Sequence, residues 1–97
     1  MIFAKDLHNF FKQKKIDFFT GVPDSVLKNF TKLIEIKKKH VIAANEGNAI
    51  AIASGYYLAK KKIPCVYMQN SGLGNAINPL ASLTHSNVYS IPMLLLI

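Results

Sequence analysis

The chain has 97 residues, 51% of them hydrophobic, a formal net charge of +7 and a single cysteine. That length confines it to one small domain, and that composition excludes an intrinsically disordered chain. No leader-like apolar core marks Met1 to Ile16, and the apolar run Ile91 to Ile97 is broken by Pro92 and too short to span a bilayer, so the sequence reads as cytoplasmic with no membrane partner.

Phe3, Leu7, Phe10 and Phe11 recur at helical spacing and predict an amphipathic helix over residues 3–14. Residues 16–20 read as a first short strand. Gly21-Val-Pro-Asp-Ser25 is a turn in which Gly21 permits an unusual backbone angle and Asp24 or Ser25 caps the second helix. That helix, 25–36, puts Val26, Leu27, Phe30, Leu33 and Ile34 on one face. Residues 40–44 read as a second strand, and Asn45-Glu-Gly-Asn48 opens a small-residue helix over 46–60 with Ala49, Ile52, Ala53 and Tyr56 on its inner face. A third strand covers 63–68, with Pro64 tolerated near its start. After the amide-rich turn Gln69-Asn-Ser-Gly-Leu-Gly-Asn75 a helix runs to Thr84, in which Pro79 is either a new first helical residue or a kink. A fourth strand lies within 88–97.

Short apolar strands alternating with helices imply an α/β fold, a parallel sheet with helices on both faces. Met93 to Ile97 is expected as a central or near-central strand. The chain stops where a further site loop should begin, and it reads as part of a longer protein. Cys65, in an apolar strand, reads as a small buried hydrophobe that forms no internal disulfide.

All twelve basic residues are lysines. They cluster as Lys12, Lys14, Lys15, then Lys37, Lys38, Lys39, then Lys60, Lys61, Lys62. Each cluster falls at the end of an expected helix, where lysine suits the helix dipole. With no arginine to fork onto phosphates, a nucleic-acid partner is not expected.

Parallel strands bring the turns at 21–25, 45–48 and 69–75 to one edge of the sheet, which gathers Asp24, Glu46, Gln69, Asn70 and Ser71 around a common crevice. No His or Cys joins them at metal-ligand spacing. His8, His40 and His85 read as surface histidines, so no metal site is expected within the chain. Gly72-Leu-Gly74 lacks the third glycine of a dinucleotide fingerprint, and no phosphate loop is present.

Taken together, Gly21-Val-Pro-Asp-Ser-Val-Leu-Lys28, Asn45-Glu-Gly-Asn-Ala-Ile-Ala-Ile-Ala-Ser-Gly55, Tyr67-Met-Gln-Asn-Ser-Gly-Leu-Gly-Asn75 and Ile91-Pro-Met-Leu-Leu95 resemble the amino-terminal part of the phosphonopyruvate decarboxylases, thiamine-diphosphate-dependent enzymes. The set covers almost the whole chain, although each turn alone is a weak signal. The resemblance implies a pyrimidine-binding (PYR) domain over residues 1–97, incomplete at its carboxyl end. The diphosphate-binding domain, which carries Mg2+, is absent from this sequence. The full-length protein would be a carboxy-lyase acting on 3-phosphonopyruvate, a homo-oligomer with sites shared between subunits, and the 97-residue piece alone would be inactive. The related sulfopyruvate decarboxylases, whose amino-terminal domain can be a separate subunit, are the alternative. A non-catalytic α/β binding module is another.

The resemblance assigns Glu46 as the acid that hydrogen-bonds the pyrimidine nitrogen N1′ and activates the cofactor. Shelter among Ala43, Ala44 and Ala49 would help it share a proton. Without the resemblance, helix chemistry favours reading Glu46 as a first-turn acid at a helix N-terminus. Asp24 is either an acid on the substrate side of the cofactor or a helix cap. Gln69, Asn70, Ser71 and Gly72 are expected to shape the cofactor pocket, or else to serve the turn. Tyr56, Tyr57 and Tyr67 read as packing residues.

Overall fold

Residues 2–36 and 39–97 are described by a computed structural model. Lys37 and Lys38 of the second lysine cluster lie outside them. The alternation legible in the sequence is realised as helix α1 (Ala4–Gln13), strand β1 (Phe19–Gly21), α2 (Lys28–Ile36), β2 (His40–Ile42), α3 (Glu46–Lys60), β3 (Cys65–Tyr67), a 3-10 turn at Asn70–Gly72, α4 (Leu73–Leu83) and β4 (Leu94–Leu96). The strands form one parallel sheet in the order β2-β1-β3-β4.

Strand residues alternate between the two faces, as a pleat requires. Phe19, Cys65 and Tyr67 join Phe11, Ile16, Phe30 and Ile34 under α1 and α2. Val66 and Met68 join Ala43, Ala49, Ile50, Ala53 and Ala76 under α3 and α4. Leu94 and Leu96 pack on the first cluster and Leu95 on the second. The first layer is aromatic, with ring centroids 5.4 Å apart for both Phe11–Phe19 and Phe19–Phe30. The second is built from small residues, which lets α3 lie close to the sheet. Within α3 the buried positions are Ala49, Ile50, Ala53 and Ser54, while Ile52 and Tyr56 are half-buried. Burial pushes the Cys65 thiol up to about 12, which leaves it an inert core residue.

Several boundaries differ from the pattern-based expectation. Strand β1 starts at Phe19, not Ile16, and takes in Gly21. Ile16 is buried but lies in the connection, and Asp17 turns out of the ladder to accept from Lys39 Nζ at 2.7 Å and Tyr56 Oη at 3.1 Å. Helix α2 starts at Lys28 rather than at Ser25, because Asp24 holds residues 25–27 as a turn. Pro79 neither starts nor ends a helix; it lies inside α4. Proline there frees the carbonyl of Asn75 from the helical ladder, and Gly47 of α3 packs against that same carbonyl.

The fourth strand lies at the edge of the described sheet, not near its centre. The β3-to-β4 crossover carries α4 on the α3 face, and a right-handed connection on that face places β4 on the side of β3 away from β1. Its unbroken apolar run reflects helices above and below it, since Leu94 and Leu96 face one layer and Leu95 the other.

Gly21 is required for close approach rather than for its backbone angle, as no described glycine has a positive φ. Its register partner is Tyr67. The Tyr67 ring lies over Gly21, and a Cβ built there would fall 2.7 Å from the ring carbon Cδ2. We therefore expect Gly21→Ala to destabilise the fold by about 1–3 kcal/mol, the usual cost of overpacking a filled core. Urea unfolding checks this, and an unchanged midpoint would contradict the packing described.

Candidate functional site

The sheet gathers its polar loops at the carboxyl ends of β1, β2 and β3. Strand β1 leads outward to β2, and β3 leads in the opposite direction to β4. The reversal between β1 and β3 is a topological switch point, where parallel α/β sheets bind ligands.

At this edge Asn45 caps α3, its Oδ1 accepting from the Asn48 N–H at 2.9 Å. That makes Glu46 the first helical residue and fixes its direction. Its Oε2 accepts from Asn75 Nδ2 of α4 at 3.0 Å. Its carboxyl group rests on Gly72, where a Cβ would fall 2.6 Å from Glu46 Cδ. Gly72 has an ordinary φ of -82°, so glycine serves here to admit the carboxylate. Glu46 Oε1 accepts no hydrogen bond from the described residues. Glu46 is half-buried. Ala43 and Ala49 are buried nearby but Ala44 is exposed, so the expected alanine shelter is partial, and the loop of Gly72 supplies the rest.

The remaining candidates divide. Gly72 touches Glu46, whereas Gln69, Asn70 and Ser71 are exposed on the same loop, with Gln69 Nε2 3.2 Å from Ser71 Oγ. Asp24 Oδ1 accepts from the N–H groups of Val26 and Leu27 at 2.6 and 3.0 Å, which is the capping geometry. The described contacts do not join Asp24 to Glu46.

Two features are not legible in the sequence. Asn75 reads there only as the end of a turn, yet it orients the central acid. Nothing in the run of amides distinguishes the one that reaches Glu46. The second is His40, which is not a plain surface histidine. Its Nε2 is hydrogen-bonded to the Tyr67 hydroxyl, and its Nδ1 is buried without a partner among the described residues. Tyr67 ends β3 just before the site loop, so the contact braces that loop from beneath. Burial lowers the His40 pKa, against a smaller opposing pull from Glu35, and burial likewise raises that of Tyr67. The pairing needs Gly21, over which the ring passes, and the parallel register sets it.

The donor set fits the pyrimidine half of thiamine diphosphate. A half-buried acid, oriented by one amide and with one oxygen left over, suits proton sharing with a ring nitrogen. Among the described residues no three His, Cys, Asp or Glu side chains gather into a metal site. No described helix is long and apolar enough to cross a membrane.

The chain is similar to known proteins. The family described as thiamine pyrophosphate enzyme, N-terminal TPP binding domain, matches residues 1–97. The chain is 45% identical over 93 residues to sulfopyruvate decarboxylase subunit alpha of Methanocaldococcus jannaschii, covering 94% of this chain and 53% of that one. It is 36% identical over 87 residues to phosphonopyruvate decarboxylase of Streptomyces viridochromogenes, covering 88% of this chain and 22% of that one. The chain thus spans about half the length of the alpha subunits it matches. In structure it resembles a thiamin diphosphate-dependent enzyme of Mycobacterium smegmatis with a TM-score of 0.78 at 22% identity, over 98% of this chain and 18% of that one, a likeness of fold.

His40 generates a pH prediction. Its folded pKa lies below the usual 6.5, so the unfolded chain binds the extra proton first. Its contribution to stability is complete above pH 6.5 and is lost as pH falls through that value toward the folded pKa. Chemical unfolding should show this decline between pH 7 and 5 and show it flattened in His40→Gln; equal slopes in both proteins would contradict it.

Proposed function

Because this chain belongs to the thiamine pyrophosphate enzyme family, as its N-terminal TPP-binding domain, we propose that it forms the pyrimidine-side half of a thiamine-diphosphate-dependent sulfopyruvate decarboxylase. The observation that carries this is the Glu46 carboxylate, held by Asn75 and seated on Gly72 at the switch point of the sheet. The substrate is a 2-oxo acid bearing a second anionic group, and CO2 is released. The resemblance to phosphonopyruvate decarboxylases expected from sequence gives way here. Identity to the sulfopyruvate decarboxylase alpha subunit of Methanocaldococcus jannaschii is 45%, against 36% to the phosphonopyruvate enzyme of Streptomyces viridochromogenes. Decarboxylation of the phosphonate analogue is the second reading, favoured by that lower but substantial identity.

Thiamine diphosphate, when bound, supplies the nucleophilic carbon and the electron sink for loss of CO2. The chain's own part is orientation and proton control. Glu46 Oε1 would hold the pyrimidine N1′ and share a proton with it, and Asn75 Nδ2, donating to Oε2, fixes the rotamer that presents it. Gly72 keeps the approach open, since any larger residue would occupy the carboxylate's place. Gln69, Asn70 and Ser71, exposed on the same loop, would border the bound ring. Asp24, tied through Oδ1 to its own turn, retains Oδ2 for a proton-transfer role on the substrate side.

The diphosphate and its Mg2+ belong, in this reading, to a second domain carried by a companion chain. Relatives that are named as an alpha subunit support a companion. So does the composition of α3 and α4, neighbours on one face, which carry no charged residue between Glu46 and Lys60 or anywhere in Leu73–Leu83. Their exposed Ala51, Gly55, Leu58, Ile77 and Ala81 form an uncharged surface beside the site, suited to docking. Sharing of sites between subunits makes the intact enzyme an oligomer.

The test is kinetic, on the full-length protein with its companion. Glu46→Gln should lower kcat by about 10²–10⁴-fold with the fold intact, the range for loss of a positioned acid–base group. Asn75→Ala, which leaves the carboxylate but frees its orientation, should cost roughly tenfold, or about 1.4 kcal/mol of transition-state stabilisation. Unchanged turnover in Glu46→Gln removes the assigned role. Comparing kcat/KM for sulfopyruvate and phosphonopyruvate decides between the two substrates.

A further inference from the structure

Taken singly, the lysine clusters are solvated helix ends, but the fold brings members of all three together. Lys12, Lys14 and Lys15 lie at the end of α1, Lys39 precedes β2, and Lys61 and Lys62 precede β3. All six reach the edge where the strands begin and line one crevice of about 650 Å³. This edge is opposite the one that carries Glu46. Half of the chain's twelve lysines therefore share a single concavity. Ile16, Phe19, Ile34 and Ile63 form its apolar lining. Asp17 is the one carboxylate among the lining residues, and Lys39 already engages it at 2.7 Å.

Two observations separate this crevice from a chance gathering of surface charge. The first is backbone conformation. Lys15 and Lys61 adopt left-handed φ values of 59° and 56°, at helix ends where glycine is the usual residue. A side chain at such a position is strained, and here both strained residues line the crevice. Ser90 is the other non-glycine residue with positive φ among those described, and it lies elsewhere. The second is charge balance. Asp17 and the carbonyl ends of α1 and α3, worth about half a charge each, offset only part of the lysines, which leaves about four positive charges around the crevice.

We infer that this crevice binds a small polyanion carried on an apolar or aromatic body, of the nucleoside triphosphate kind. The lysines meet the phosphates as point charges, and exposed Ile63 with the aliphatic stems of the lysines receives the body, over a floor of buried Ile16, Phe19 and Ile34. The volume lies within the range of small-molecule sites, about 300–1,000 Å³. The concave form suits a compact ligand better than a nucleic-acid duplex, which is read by elements that enter its grooves.

The experiment uses the full-length protein that carries this sequence, with ATP and inorganic tripolyphosphate titrated calorimetrically at about 150 mM salt. ATP should bind at least about tenfold more tightly than tripolyphosphate. The variant Lys12→Gln/Lys15→Gln/Lys62→Gln should weaken ATP binding about tenfold or more. Lys5→Gln/Lys28→Gln/Lys32→Gln makes the same charge change at positions outside the crevice and should leave it within about twofold. Lys15→Gly/Lys61→Gly should raise Tm by relieving the backbone while weakening ATP binding, a combination that a purely structural role for these lysines does not produce. Absence of ATP binding at about 1 mM, equal losses in the two triple variants, or equal affinity for tripolyphosphate would each overturn the inference.

Discussion

The close approach of α3 to the loop and helix after β3 is the constraint on which the site depends. Glu46 and Gly47 begin α3; Gly72 and Asn75 begin the segment opposite. Gly72 gives way to the Glu46 carboxyl group, and Gly47 gives way to the Asn75 backbone. The Asn75 side chain then closes the seam on Glu46 Oε2 at 3.0 Å. Buried Ala49, Ala53 and Ala76 continue the small-residue packing below it. The acid is thus held by helix packing; a side chain at Gly72 would displace it, and one at Gly47 would press on the Asn75 carbonyl.

A second brace acts from the other face of the sheet. Tyr67 crosses Gly21 and meets His40 at the start of β2, tying β3 to β2 across β1. Tyr67 directly precedes Met68 and the site loop. The aromatic layer of Phe11, Phe19 and Phe30 packs in the same cluster as Tyr67. The 69–75 loop is therefore anchored on one side by the pair of buried Tyr67 and half-buried His40, and on the other by the α3–α4 seam.

The two ends of the sheet have opposite chemistry for one reason. Parallel strands with helical crossovers point the α3 and α4 N-termini toward one edge and the α1 and α3 C-termini toward the other. Amides, glycines and the two acids Asp24 and Glu46 collect at the first, where the helix ends carry positive partial charge. Lysines collect at the second, where helix carbonyls are exposed. The surplus of lysine over those carbonyls, concentrated in one crevice, goes beyond what capping requires.

The amino-acid sequence by itself determined the order of elements, the parallel α/β class and the edge at which the polar loops meet. Hydrophobic period and turn chemistry are local, and they sufficed to put Glu46 and the 69–75 loop at that edge. Tertiary structure alone decided which side chains touch. Asn75 rather than Gln69 or Asn70 reaches the acid, because α4 begins one 3-10 turn after β3. His40 is half-buried because the register sets it within reach of a tyrosine that passes over a glycine. β4 lies beside β3 on the side away from β1 because the handedness of its crossover, not its apolar run, fixes its neighbour. Lys12, Lys14, Lys15, Lys39, Lys61 and Lys62, far apart in sequence, share one crevice because they precede strands or follow helices at the same edge. Contacts such as these depend on register and crossover, which connect distant residues, and a local pattern carries no record of them.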